Sequence, residues 1–243
     1  MVNRSRPSKS AEPAGADRRS RESAAARALR AKAIANRLAE AFPAAVCSLD
    51  FTSPFQLLIA TILSAQCTDK RVNMVTGELF GRWPSAEALA RVRPADLERV
   101  IRSTGFYRAK AKNILGCCRA LVERHGGEVP VSMPDLVKLP GVGRKTANVV
   151  LGSGFGIAEG LVVDTHVGRI SRRLGLTRQK DAVRAERDLV RVVPADHWIG
   201  FSHRLIELGR DACAARRPEC GRCPLADLCP RVGVLPAGRK RRA

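Results

Sequence analysis

Apolar positions along the chain recur at helical rather than alternating spacing. The stretch PFQLLIATILSAQC, residues 54–67, is apolar on every face and long enough for a buried helix. Residues 94–103 open with a proline and place Leu97, Val100 and Ile101 on one side, the pattern of a half-buried helix starting at Pro94. The same reading gives helices over 24–42, 68–80, 85–90, 108–125, 133–139, 144–153, 165–174, 181–192 and 198–213. Punctuation agrees with these limits. Pro43 stops the first helix, Ser85 after Trp83-Pro84 is a cap, and Gly126-Gly127 closes the run that ends at His125. No segment alternates convincingly over a strand's length. The expected fold is all-α with short connections. No run of about 18 apolar residues occurs, so no membrane span is expected.

Composition sharpens this picture at one point and charge at another. Aromatic residues make up only 4% of the 243, while Ala, Leu, Val and Arg dominate, which favours helix over sheet. The formal charge is +20. Residues 1–30 hold 8 basic and 3 acidic residues and residues 231–243 hold 5 basic and none acidic, so half of the excess lies in the body between them. A charge of this size implies a polyanionic partner, with nucleic acid ahead of anionic lipid because no basic amphipathic helix with bulky apolar anchors stands out. Residues 1–27 carry no apolar core of a secretory signal and are expected to form a disordered basic arm. Their Arg- and Ser-rich, acid-poor composition also leaves an organelle transit peptide open.

The stretch LPGVGRKTANVV, residues 139–150, joins a Pro-Gly turn to an apolar helix. Glycine enters left-handed backbone without a Cβ clash, and two glycines one residue apart let successive amides face one way. Followed by a helix N-terminus, such a turn holds a phosphate; it equally suits a plain corner between two helices. A Walker A loop is excluded, since Arg144 separates Gly143 from Lys145. Lys145 falls in the first helical turn; it suits a solvated surface charge, or, where cationic neighbours and partial burial lower an amine pKa, a nucleophile that needs a partner. Downstream, LVVDTHVGR places Asp164 at the start of another helix. There a carboxylate serves both as N-cap and as an anion able to stabilise positive charge growing on a sugar. His166 is read as a hydrogen-bonded structural histidine.

Eight cysteines are present, and four of them crowd into C-x6-C-x2-C-x5-C, from Cys213 through Cys220 and Cys223 to Cys229. Zinc sites usually consist of two close pairs with a longer gap; a run without that gap suits a compact iron–sulfur cluster better. Cys47, Cys67, Cys117 and Cys118 are read as small buried apolar residues.

The hairpin, the VVDTH segment about twenty residues on and the cysteine run occur in one order that resembles endonuclease III, in the iron–sulfur branch of the helix–hairpin–helix DNA glycosylases. The resemblance spans residues 28–230. It implies two helical domains with a DNA cleft between them: a six-helix bundle over 47–158, and a cluster domain built from 28–46 and 159–230, with a basic tail at 231–243. It implies that Lys145 is the nucleophile, Asp164 the catalytic aspartate, and Cys213, Cys220, Cys223 and Cys229 the ligands of a [4Fe–4S] cluster. It implies that Gly141, Val142, Gly143 and Arg144 form the hairpin that binds the DNA backbone. LSAQCTD matches, more loosely, the stretch whose glutamine fills the space of a flipped base, here Gln66; TGFYRAK matches the wedge loop and puts Phe106 at its tip, where relatives often carry leucine.

The activity so implied is a bifunctional glycosylase and abasic-site lyase that removes oxidised pyrimidines from double-stranded DNA. Its implied state is a monomer, cytoplasmic and nucleoid-associated in a bacterium. A monofunctional mismatch glycosylase of the same superfamily fits less well, since such enzymes lack the lysine. A non-enzymatic hairpin DNA-binding protein is the remaining alternative.

Overall fold

The computed structural model describes residues 22–234. These residues hold eleven α-helices and no strand, as the apolar spacing predicts. They are α1 (Ala24–Ala41), α2 (Pro54–Leu63), α3 (Asp69–Arg82), α4 (Ala86–Ala90), α5 (Pro94–Ile101), α6 (Tyr107–His125), α7 (Met133–Leu136), α8 (Arg144–Val149), α9 (Thr165–Arg173), α10 (Ala182–Leu189) and α11 (Trp198–Asp211). Side-chain caps define most of the starts. Ser23, Ser53, Thr68, Ser85, Ser132, Asp164 and Asp181 each accept a hydrogen bond from the backbone N–H three residues on, satisfying a donor that the helix itself leaves open. Gly126 ends α6 in the left-handed region.

Two boundaries differ from expectation. The arm expected over 1–27 gives way to structure before its end. Ser23 caps α1 at Ala24, and Glu22 already pairs with Arg30 at 2.7 Å; the remainder of that arm lies outside the described residues. The helix expected over 144–153 is α-helical only to Val149 and continues as a wider π turn over Val150–Gly154. Gly152 and Gly154 lie within that turn, against Ile199 and against Leu57 and Pro54, where a Cβ would make ordinary van der Waals contact.

Two separate apolar cores result. The first runs from Leu49 to Leu151 and is centred on α2, whose residues from Leu57 to Leu63 are all buried. The second takes Ala31, Ile34, Ala35 and Leu38 from α1 and joins them to Leu161, Val167, Ile170, Phe201, Leu205 and Leu225 from the C-terminal third. Hydrogen bonds tie α1 to that distant segment. Arg30 Nη1 donates to the carbonyls of Leu174 and Leu228 at 2.7 and 3.3 Å, and Arg37 Nη1 to that of Pro224 at 3.1 Å. Of the basic tail, residues 231–234 fold back so that the Val232 amide donates to the Arg173 carbonyl at 3.0 Å; the rest lies outside the described residues.

Candidate active site between the two cores

The hairpin joins α7 to α8, and the Val142 amide closes its turn on the Leu139 carbonyl at 3.1 Å. Its two glycines have different reasons to be there. Gly141 sits at φ +78 and a Cβ on it would lie 2.8 Å from Asn113 Cβ, so both conformation and space require glycine. Gly143, expected to share the left-handed region, is instead extended at φ −92, and nothing lies within 4 Å of a Cβ placed on it. It is the N-cap of α8 without a side chain to cap with, which leaves the first amides of that helix facing outward. Val142 is buried and anchors the turn in the first core.

Lys145 is exposed, in the first turn of α8. The partial burial expected of a buried nucleophile is therefore absent in the free protein. Its neighbour Arg144, expected at the DNA backbone, has its guanidinium committed elsewhere. Nε lies 3.0 Å and Nη2 3.0 Å from the Glu186 carboxylate, which raises the arginine's pKa above its ordinary value. Its Nη1, on a side chain still 48% exposed, and its backbone amide are left to face a phosphate. Asn148, one turn on, donates to Glu186 Oε1 at 3.0 Å. Glu186, only 6% exposed, comes from α10 and thus fastens both ends of one face of α8 to the second core. Sequence reading missed it, since nothing in the basic stretch around it marks a buried acid. Glu186→Ala leaves both donors without their acceptor and should lower unfolding stability by roughly 1–3 kcal/mol; an unchanged urea midpoint would refute the link.

Asp164 caps α9, with Oδ1 accepting from the Val167 amide at 2.7 Å, and is half-buried. A pocket of about 270 Å³ brings it together with Lys145 and Gln66, between α2 and α8 of the first core and α11 of the second. Gln66 is exposed and holds left-handed backbone at φ +53. Phe106 does the same at φ +47 with its ring 67% exposed; it does not line the pocket. Left-handed residues other than glycine are strained and cluster where function over-determines them. His166 is structural, as expected: Nδ1 lies 3.4 Å from Arg169 Nη2 and the ring packs over Gly209.

Deeper in the pocket wall, His203 lies 3.2 Å from Ser153 Oγ, across the junction of the two cores. Burial, and then the charge of Arg204, push the His203 pKa down. Its neutral form is favoured in the folded state, so this contribution is present above the ordinary histidine pKa of about 6.5 and is lost as pH falls below it. The drop in melting temperature between pH 7.5 and 5.5 should be smaller in His203→Gln than in the parent; equal drops would exclude the effect.

The cysteine loop follows α11 and wraps α9. Arg173 Nη1 donates to Cys213 Sγ at 3.2 Å and to the Ala214 carbonyl at 2.8 Å, and the Arg231 amide donates to Cys229 Sγ at 3.4 Å. Burial pushes the Cys223 and Cys229 thiols up from the ordinary cysteine value, and the other cysteine sulfurs add to the shift. No three of the described Cys, His, Asp or Glu side chains are arranged around a single ion. Zinc–sulfur bonds of about 2.3 Å would draw the sulfurs closer than a polynuclear centre needs. The four sulfurs, their amide and guanidinium donors and the buried Leu225 fit a [4Fe–4S] cluster.

A hairpin lysine and a helix-capping aspartate meeting across two helical cores, one closed by four cysteines, define the iron–sulfur class of helix–hairpin–helix DNA glycosylases. Residues 59–195 match the model of the HhH-GPD superfamily base excision DNA repair proteins and residues 213–229 that of the iron-sulfur binding domain of endonuclease III. Endonuclease III of Synechocystis sp. is 58% identical over 193 residues, covering 79% of this chain and 88% of the relative. That of Escherichia coli K12 is 43% identical over 196 residues, covering 81% and 92%. A solved trapped endonuclease III–DNA covalent intermediate superposes with a TM-score of 0.79 at 44% identity, over 84% of this chain and 96% of that one. A thermostable thymine-DNA glycosylase shares the fold at 21% identity. The chain belongs to the endonuclease III family, whose cofactor is the [4Fe–4S] cluster.

Proposed function

We infer that this protein is a bifunctional DNA glycosylase and abasic-site lyase of base excision repair, acting on oxidised pyrimidines in double-stranded DNA. The observation that carries the reading is the meeting of Lys145 and Asp164, from different cores, in one pocket with Gln66. A stacked base is out of reach of such a pocket, so the damaged nucleotide swings out into it. Gln66 and Phe106, exposed and held in left-handed backbone, enter the vacated stack and kink the duplex. The open amides at the start of α8 and the uncovered Gly143 receive the DNA backbone.

The chemistry follows from the lysine. Its free amine attacks sugar C1′ while the C1′–N bond breaks and the base leaves with that electron pair. The Asp164 carboxylate offsets positive charge on the sugar. The amine gives up one proton to the departing base, and as the sugar ring opens O4′ takes a proton from water, leaving a protonated imine between Nζ and C1′. Loss of a C2′ proton then expels the 3′ phosphate by β-elimination, and water releases the lysine. The cluster supplies no group to these steps; its four cysteines hold the loop that packs against α9, whose first residue follows Asp164.

The test is borohydride reduction during reaction with a labelled duplex carrying one oxidised thymine. A covalent protein–DNA band on a denaturing gel is expected. Base release without that band would make the enzyme monofunctional. Binding without either would favour the non-enzymatic alternative. The chain is read as acting as a monomer; among the described residues no helix is long and apolar enough to cross a membrane.

A further inference from the structure

Lys110 is 4% exposed, and its side chain reaches no carboxylate. Nζ donates instead to two backbone carbonyls, Leu63 O at 2.7 Å and Thr104 O at 2.8 Å. Leu63 is the last residue of α2, and Gln66 follows three residues later. Thr104 ends the 3-10 turn Arg102–Thr104, and Phe106 follows two residues later. The backbone amide of Lys110 also donates to the Phe106 carbonyl, at 3.0 Å. One residue thus holds both strained loops without itself lining the pocket.

The placement is not explained by the stability of the helix that carries it. Lys110 lies in the first turn of α6, where the helix dipole disfavours a cation, and it is desolvated. What it gains is contact with the last carbonyls of two other elements, which have no partners of their own. A methionine would fill the same space and leave those carbonyls unpaired.

We propose that Lys110 is a positioning residue that fixes Gln66 and Phe106 relative to each other, so that both enter the duplex together when a base is flipped. This rests on the reading that those two residues insert into DNA.

The experiment compares cluster-loaded Lys110→Met with the parent on two substrates. One is a duplex with an oxidised thymine, where insertion is needed. The other is a single strand with an abasic site, where there is no partner strand to hold apart and only the lysine chemistry is needed. Single-turnover excision from the duplex should fall at least about tenfold while single-strand β-elimination stays within about twofold. The fluorescence change of a 2-aminopurine opposite the lesion, which reports local unstacking, should shrink in parallel. Equal losses on both substrates, or no loss on the duplex, would overturn the proposal. Gln66→Ala and Phe106→Ala separate it from the reading beneath it. If both excise like the parent, insertion itself is wrong; if they are slow and Lys110→Met is not, only the tie is wrong. Should Lys110→Met not fold, Lys110→Gln, whose shorter amide cannot span both carbonyls, is measured in the same assays with the same expected order.

Discussion

Lys145→Ala should abolish the covalent band after borohydride and lower strand cleavage at an abasic site by at least about 10³-fold, equivalent to about 4 kcal/mol of transition-state stabilisation. Affinity for a duplex bearing an abasic analogue should change by less than about tenfold, because the backbone contacts assigned to the hairpin come from amides the substitution leaves in place. Lys145 is exposed on a short helix whose adjoining face is anchored by Arg144 and Asn148 on Glu186, so the truncation should leave the melting temperature nearly unchanged. Cleavage and trapping by single-turnover kinetics, with binding measured in parallel, check all three. Cleavage that survives in the variant would remove the lysine from the chemistry.

Asp164→Asn is the second large effect, and it separates two duties of one side chain. Asparagine caps a helix about as well as aspartate, so the Val167 amide keeps its acceptor and stability should hold. The charge is lost, and base excision should fall by about 10²–10³-fold, the scale for removing one electrostatic stabiliser of a transition state. Asp164→Ala should show the same kinetic loss together with about 1 kcal/mol of destabilisation from the missing cap. If Asn excises like the parent while Ala is unstable, the residue is a cap and nothing more.

The helices were legible because their signals are local. A serine, threonine or aspartate at most of the starts and a glycine after α6 act within four residues. Lys145 and Asp164 were legible because each stands in a short recognisable string. Lys110 and Glu186 were not, and the reason is distance along the chain. Lys110 looks like Arg108 and Lys112 on either side until α2, 47 residues earlier, is folded against it. Glu186 looks like a solvated acid in a basic helix until α8, 42 residues earlier, delivers Arg144 to it. The charge excess points to a polyanionic partner without saying which cations face it. Arg30, Arg37, Arg169 and Arg173 count toward a DNA-facing surface in the sequence, yet in the structure they donate to backbone carbonyls around the cysteine loop. The π turn after α8 also escaped notice, because two glycines in an apolar helix announce permission to widen, not the widening itself.

The second core is assembled from the two ends of the described chain, with Arg30 reaching a carbonyl 198 residues away. A chain leaving the ribosome therefore presents α1 first and must keep Ile34, Ala35 and Leu38 without their partners while the whole first core is made. The fully buried residues of the first core all lie within 49–151, so that core can collapse as it emerges. Only when the last cysteine is out can α1 find its place and the thiols gather. Assembly of the second core is thus the later event, and the pocket that Lys145 and Asp164 share is completed only with it.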